Sequence, residues 1–201
     1  MIFQIAAILI LLAFYTAYFA KIVIQKKQSI KTNQMGVGNK PRRVIIVERI
    51  MSAATILTCV VGVLSIFLVK SFIIVELRIL GAVLGVLAVI IFTSATITMK
   101  SSWRVGIPEE KTTLVTNGIY SWSRNPAFVG FDLLYISISF MFFNIPLVLV
   151  SLWAAVMLHL QILQEEVHME NMFGEEYVQY KKHTGRYLGI KGLVRFFCLT
   201  P

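Results

Sequence analysis

Five stretches of this chain are apolar for long enough to cross a lipid bilayer, and that limits the fold before anything else does. A bilayer core is ~30 Å thick and takes about 20 apolar residues in a helix. The stretches run from Ile2 to Ile24, from about Val44 to Val69, from about Phe72 to Met99, from Pro126 to near Phe143, and from about Pro146 to Gln164. Across the 201 residues, 57% are hydrophobic and 14% are charged. A soluble domain has roughly 45–50% and about 25%. That excess is too large for one soluble core and rules out disorder. The expected fold is all-α: an integral membrane helical bundle with about five transmembrane helices and a cytoplasmic C-terminal helical segment. No basic residue precedes the first stretch, so it lacks the charged start of a cleaved signal peptide and reads as a retained helix.

The formal net charge of +9 points to a membrane surface rather than to nucleic acid, because of where the charges sit. Lys21, Lys26, Lys27, Lys31, Lys40, Arg42 and Arg43 fall in one link with no acid among them. Short basic loops stay cytoplasmic, which places this link inside and the N-terminus outside. The turns at Lys70-Ser71 and Asn144-Ile145 are then external. Residues 100–125 and the tail from Glu165 are internal, with Lys100, Arg104, Lys111, Arg124, Lys181, Lys182, Arg186, Lys191 and Arg195. The link from Lys26 to Lys40 reads as a solvated loop near lipid headgroups. Two cysteines, Cys59 and Cys198, cannot make a disulfide framework or a zinc cluster, and no metal is expected. The ending Cys-Leu-Thr-Pro is not a prenylation signal. Gly81 and Gly85 form a GxxxG that lets helices approach closely, by packing within the chain or in a homodimer.

Polar residues gather in 101–125 and 165–186. The fourth and fifth stretches join these segments through a very short turn around Asn144-Ile145-Pro146, so they form a helical hairpin. Asn125 is twenty residues before Ile145 and Glu165 is twenty after it. At ~1.5 Å per residue both lie ~30 Å from the turn, and Arg124-Asn125-Pro126 should face Glu165-Glu166. Pro126 suits a first helical position, and the free N–H groups there can hold an anion. The acidic pair can accept hydrogen bonds from hydroxyls or an ammonium group. A ligand with a carboxylate, an ammonium and a ribose would fit, and S-adenosylmethionine is one such ligand. The other reading is an interfacial ion pair of Arg124 with the glutamates that anchors the hairpin. Asp132, about two turns into the fourth stretch, is a functional candidate or a link to a neighbouring helix.

The run from Thr112 to Gly130, with Leu114-Val115, Gly118, Tyr120, Arg124-Asn125-Pro126, Phe128 and Gly130, resembles an LVxxGxYxxxRHPxYxG signature. Glu165-Glu166 with Phe173-Gly174-Glu175-Glu176-Tyr177 resembles EExxL…FGxEY, and Tyr180 and Thr184-Gly185-Arg186 continue the match. Both belong to the isoprenylcysteine carboxyl methyltransferase family and its phospholipid-methyltransferase relatives, and they cover about 103–186. The resemblance implies an integral membrane methyltransferase that uses S-adenosylmethionine on the cytoplasmic side. Residues 100–201 would form its core, and 1–99 three helices with a basic loop.

By position, Thr112, Thr113, Leu114, Val115, Tyr120, Asn125, Pro126, Ala127, Phe128 and Glu165 would bind the cofactor. Arg124, Glu165 and Glu166 would be catalytic, and Gln161 would meet the substrate. Leu114, Val115 and Tyr120 also suit plain packing or an interfacial anchor, as do Tyr177 and Tyr180. Three positions depart from the family: Asn125 replaces a histidine, Phe128 a tyrosine, and Gln161 the arginine that holds a substrate carboxylate. A neutral amide holds a carboxylate less well than a bidentate guanidinium, which weighs against a carboxylate acceptor. His159 and His168 read as proton carriers or as structural.

Methyl transfer from a sulfonium needs alignment and exclusion of water more than covalent machinery. The expected partners are a lipophilic or lipidated acceptor arriving sideways from the bilayer, and membrane lipids. The alternatives are an NADPH-dependent membrane enzyme of the sterol-reductase type and a non-enzymatic membrane scaffold.

Overall fold

A computed structural model describes residues 1–69, 73–108, 110 and 112–189. The expected turn at Lys70-Ser71, and Lys111, Lys191, Arg195 and Cys198, lie outside the described residues. The helices in chain order are α1 (Ile2–Lys27), α2 (Arg42–Leu68), α3 (Val75–Thr98), α4 (Pro126–Met141), α5 (Ile145–Phe173) and α6 (Glu175–His183), with short 3-10 turns at Lys100–Ser102 and Gly118–Ser121. The chain is thus a membrane helical bundle. α1, α2, α3 and α5 are long and apolar enough to span. α4 has 16 residues, about 24 Å at ~1.5 Å per residue, shorter than a bilayer core. Large apolar side chains such as Leu64, Phe67, Leu87, Ile90, Leu149 and Leu152 are exposed on the outer faces, as a lipid-facing surface requires.

One boundary shifts the expected picture. α5 does not stop at Gln164 but continues to Phe173, so Glu165 and Glu166 ride on the helix rather than on a tail beyond it. The turn between α4 and α5 is tight because Asn144 caps α5: its side-chain oxygen accepts from Leu147 N–H at 2.9 Å, while its amide donates to Ser65 Oγ at 2.9 Å. From that turn the two helices diverge, α4 packing mainly along α3 and α5 along α2. The hairpin is therefore splayed, with space between its arms.

Glycines set the α3–α4 distance. A Cβ on Gly81 would lie 2.9 Å from the Ser137 carbonyl oxygen, and one on Gly130 2.9 Å from Phe92 Cβ. A Cβ on Gly85 would lie 2.6 Å from Ser137 Oγ and 2.7 Å from Ile10 Cδ1. The GxxxG face is thus occupied by α4 and α1 of the same chain. Below this seam, Phe14, Phe92 and Phe131 interlock, with ring centroids 4.4 Å (Phe14–Phe92) and 5.0 Å (Phe14–Phe131) apart. Gly81→Val pushes a branched side chain into a backbone carbonyl and is expected to cost about 1–3 kcal/mol. Thermal unfolding in detergent measures it.

The link after α1 is not the solvated loop that its composition suggests. Thr32 and Gln34 are buried. Gln34 N–H donates to the Val105 carbonyl at 2.9 Å, and Val105 N–H to the Thr32 carbonyl at 3.0 Å. Gln25 Nε2 donates to the Trp103 carbonyl at 3.0 Å. The cause is a buried acid. Glu48, 0% exposed in α2, accepts from Gly36 N–H at 2.7 Å, Ile107 N–H at 2.8 Å and Lys40 Nζ at 2.9 Å. An ionised carboxylate survives in such a place only when paired and hydrogen-bonded. The loop therefore folds inward to supply the partners.

Candidate active site

The site begins where α4 begins. Pro126 occupies the first turn, where its missing N–H costs nothing. Asn125 precedes it, but its side chain does not cap the helix. The amide instead donates to the Arg186 carbonyl at 3.1 Å, and Ser123 Oγ accepts the Asn125 N–H at 3.1 Å. The segment after α6 thus lies along the start of α4. Arg124 N–H bonds to the Gly185 carbonyl at 2.9 Å, and Gly189 N–H to the Trp122 carbonyl at 2.8 Å.

Glu166 fastens these pieces to α5. Arg124 Nη2 donates to its Oε1 at 2.7 Å, and Arg186 Nη2 to its Oε2 at 2.8 Å. Arg124 Nη1 also donates to the Thr184 carbonyl at 2.6 Å. Both arginines are spent on this clamp, and Glu166 is spent on both of them. Of the two readings of Arg124 and Glu166, the contacts are those of an anchor. α6 closes the same end: Tyr177 is buried, and Tyr180 Oη donates to the Tyr120 carbonyl at 2.6 Å. Burial pushes the Tyr177 phenol up to about 12 and raises those of Tyr120 and Tyr180. All three stay protonated at neutral pH.

Glu165 points a different way. Its Oε1 accepts from Gln161 Nε2 at 2.9 Å, and it lines a cavity of about 100 Å³ between the splayed arms. The other walls are Ala127, Phe128 and Phe131 of α4, Leu158 of α5, Met51 and Thr55 of α2, and Met35 of the inward-folded loop. Gln161, Gln164, Glu165 and His168 stand at i, i+3, i+4 and i+7, one stripe of α5. Along it, Gln161 Oε1, Gln164 Oε1 and His168 Nε2 are buried without a hydrogen-bond partner among the described residues. Met172 continues the stripe, and Thr112 Oγ1 donates to its sulfur at 3.9 Å.

The structure therefore brings together Ala127, Phe128 and Glu165 around one space, with Gln161 bonded to Glu165 behind it and Thr112 against the far end of the same stripe. It does not bring all of the expected residues there. Thr113 bonds to Ser102, Pro126 lines a separate lipid-facing groove with Val129 and Leu188, and Tyr120 packs under α6. Leu114 and Val115 are half-buried. Met35, Met51 and Thr55 were missed, because apolar residues in a helix or a basic loop carry no signal of a cavity wall. The unexplained acid Glu48, inside an apolar run, was the available clue that the loop turns inward.

The site is thus a pocket at one end of a splayed hairpin in a helical membrane bundle, with Glu165 of the α5 stripe in its wall. Residues 77–176 match the family model for phospholipid methyltransferase. The chain is similar to protein-S-isoprenylcysteine O-methyltransferase of Xenopus laevis, 32% identical over 111 residues that make up 53% of this chain and 38% of that protein. The Homo sapiens protein of the same name is 32% identical over 111 residues, covering 53% and 39%. The Mus musculus one is 34% identical over 94 residues, covering 44% and 33%. The matched stretch holds both halves of the motif, so the chain is similar to phospholipid methyltransferases and to the protein-S-isoprenylcysteine O-methyltransferases. The match to the Xenopus and human proteins spans about two fifths of their length.

Proposed function

We propose that this protein is an S-adenosylmethionine-dependent membrane methyltransferase acting on a lipophilic acceptor that reaches the site from the bilayer. The observation that carries this is the α5 stripe: the Glu165 carboxylate lines a cavity between the two halves of the family motif, beside three buried polar atoms that lack partners among the described residues. Buried polar groups are nearly always satisfied, so the stripe suits a polar ligand. Glu165 can accept from an ammonium or a hydroxyl, and Phe128 and Phe131 offer ring faces to a cation. The cavity holds on the order of three waters at ~30 Å³ each. A nucleoside-sized ligand therefore needs the 28–41 loop or the 103–107 segment to shift outward.

The bound donor supplies an electrophilic methyl group on a sulfonium. The chain's own residues orient and enclose. Arg124, Glu166 and Arg186 are positioning residues: their clamp holds the 112–128 segment at a fixed distance from the α5 stripe. Phe131, Leu158 and Met51 keep water from the reacting atoms, and dry, fixed geometry is what a direct displacement needs. The basic link at 21–43 and the basic residues around the clamp support a cytoplasmic position for this end, and an outside N-terminus, by the positive-inside bias.

Calorimetric titration of the detergent-purified protein with S-adenosylhomocysteine tests the reading. Saturable binding is expected, weakened at least about tenfold (roughly 1.4 kcal/mol) by Glu165→Gln, since a hydrogen bond to a charged acceptor contributes about 1.5–3 kcal/mol. A folded sample that ignores millimolar ligand, or that is stabilised by NADPH instead, contradicts it.

A further inference from the structure

The cavity beside Glu165 measures about 100 Å³, whereas a pocket that encloses a drug-sized ligand has about 300–1,000 Å³. A donor with a nucleoside and an amino-acid arm therefore enters after a wall has moved. Most of the walls are helices held by their neighbours. α4 is drawn onto α3 at Gly81 and Gly130, and Thr58 Oγ1 of α2 donates to the Val150 carbonyl of α5 at 3.0 Å. The remaining wall is Met35 of the link after α1, with Arg104, Val105 and Gly106 of the segment after α3. Neither piece is helical.

The two pieces are joined to each other. Val105 N–H donates to the Thr32 carbonyl at 3.0 Å, and the Val105 carbonyl accepts from Gln34 N–H at 2.9 Å. One edge of the pair is fastened to α1. Gln25, 1% exposed, accepts from Thr32 Oγ1 at 2.8 Å and donates to the Trp103 carbonyl at 3.0 Å, so one side-chain amide holds both pieces. The other edge is fastened to α2 by Glu48, one oxygen to each piece. Oε2 accepts from Gly36 N–H at 2.7 Å, Oε1 accepts from Ile107 N–H at 2.8 Å, and Lys40 Nζ lies 2.9 Å from both oxygens. The glycines gather at this second edge: Gly36, Gly38 and Gly106 have φ of +65°, +90° and +84°. Backbone that changes direction there meets no Cβ. A single carboxylate grips both pieces, so its release frees both at once.

We propose that the 32–36 and 103–107 pieces form one door, hinged at Gln25 and latched at Glu48, through which the soluble donor enters and leaves the pocket. This rests on the donor reading above and adds to it a route and a moving part. The latch touches no ligand. It is made equally in the empty closed form and in the loaded closed form, so weakening it raises the free energy of both alike. Passage then becomes faster in both directions, and affinity stays where it was.

The test uses the full chain in detergent with S-adenosylhomocysteine as the probe. Trp103, in the cavity wall, reports binding by stopped-flow fluorescence. Hydrogen exchange of peptides covering 32–36 and 103–107 reports the door. In the wild type the two peptides are expected to exchange together, as one cooperative unit, and faster than α4 and α5. Glu48→Gln with Lys40→Met removes both charges of the latch and keeps an acceptor. It is expected to raise door exchange, and the association and dissociation rates, at least about tenfold, with the dissociation constant within about threefold. Glu165→Gln is expected to raise the dissociation rate and leave door exchange unchanged. Faster door exchange in the double variant with unchanged binding rates overturns the door, since the donor then passes elsewhere. So does wild-type exchange of the two peptides at separate rates. The wild type alone supplies a third check, which stands even where the double variant does not fold. Its dissociation rate must not exceed the rate of door opening, read at alkaline pH where each opening leads to exchange, and a higher one overturns the proposal. Absence of S-adenosylhomocysteine binding in the folded wild type overturns the donor reading, and the door's role with it. The other outcomes leave that reading standing.

Discussion

Glu166→Ala is expected to cost about 3–5 kcal/mol, the usual penalty for removing one member of a buried ion pair. Almost all of that comes from Arg124. Its side chain is 7% exposed and would lose the carboxylate it pairs with, whereas Arg186 at 35% can turn to solvent, where pairs count for little. The effect should not stop at stability. Arg124 holds the Thr184 carbonyl, and Asn125 holds that of Arg186. Loosening the clamp therefore frees the segment over α4 and lets the motif halves part. Unfolding temperature and S-adenosylhomocysteine affinity should fall together, the latter by at least about tenfold (1.4 kcal/mol). Glu166→Gln should be milder, since it keeps acceptor and shape. An unchanged unfolding temperature in Glu166→Ala would show that the clamp holds nothing.

The second large effect is expected at Glu48. Glu48→Ala strands Lys40, whose side chain is 5% exposed, and leaves the N–H groups of Gly36 and Ile107 without an acceptor. A stranded buried charge costs about 3–5 kcal/mol, and each orphaned donor about 1–3 kcal/mol. These terms share one site and do not add in full, so the loss should approach or exceed that of Glu166→Ala. Adding Lys40→Met removes the stranded charge and should recover part of it. Chemical unfolding of the wild type, the single variant and the pair decides the matter. The loop also carries Met35 into the cavity wall, so Glu48→Ala should open the pocket to water as well.

The helices were legible because hydropathy alone selects them: a bilayer core demands length and apolarity, and α1, α2, α3 and α5 supply both. The facing of Arg124 and Glu166 was legible for a similar reason, since a hairpin with a short turn leaves little freedom in register. What the sequence hid depended on tertiary pairing. α5 continues past Gln164 because Glu166, His168 and Met172 pack against other segments, and a hydropathy scan sees only polar residues there. The 28–41 loop looked solvated because Lys, Asn and Gln usually are, yet Glu48 draws it in. The splay of α4 from α5 follows from Gly81, Gly85 and Gly130, which bind α4 to α3 so closely that a cavity is left on its other side. Glu165 and Glu166 are adjacent and chemically alike. Only their rotation on the helix separates a pocket carboxylate from an anchor.

The central claim is that the α5 stripe and the 112–128 segment together form one donor pocket. Photolabelling with an azido-substituted S-adenosyl ligand, followed by peptide mapping, tests it directly. The account predicts label within residues 158–172 and 112–128, suppressed by excess S-adenosylhomocysteine and reduced in Glu165→Gln. Competable label confined to α1 or to the outer face of α3, with none on α5, would contradict it.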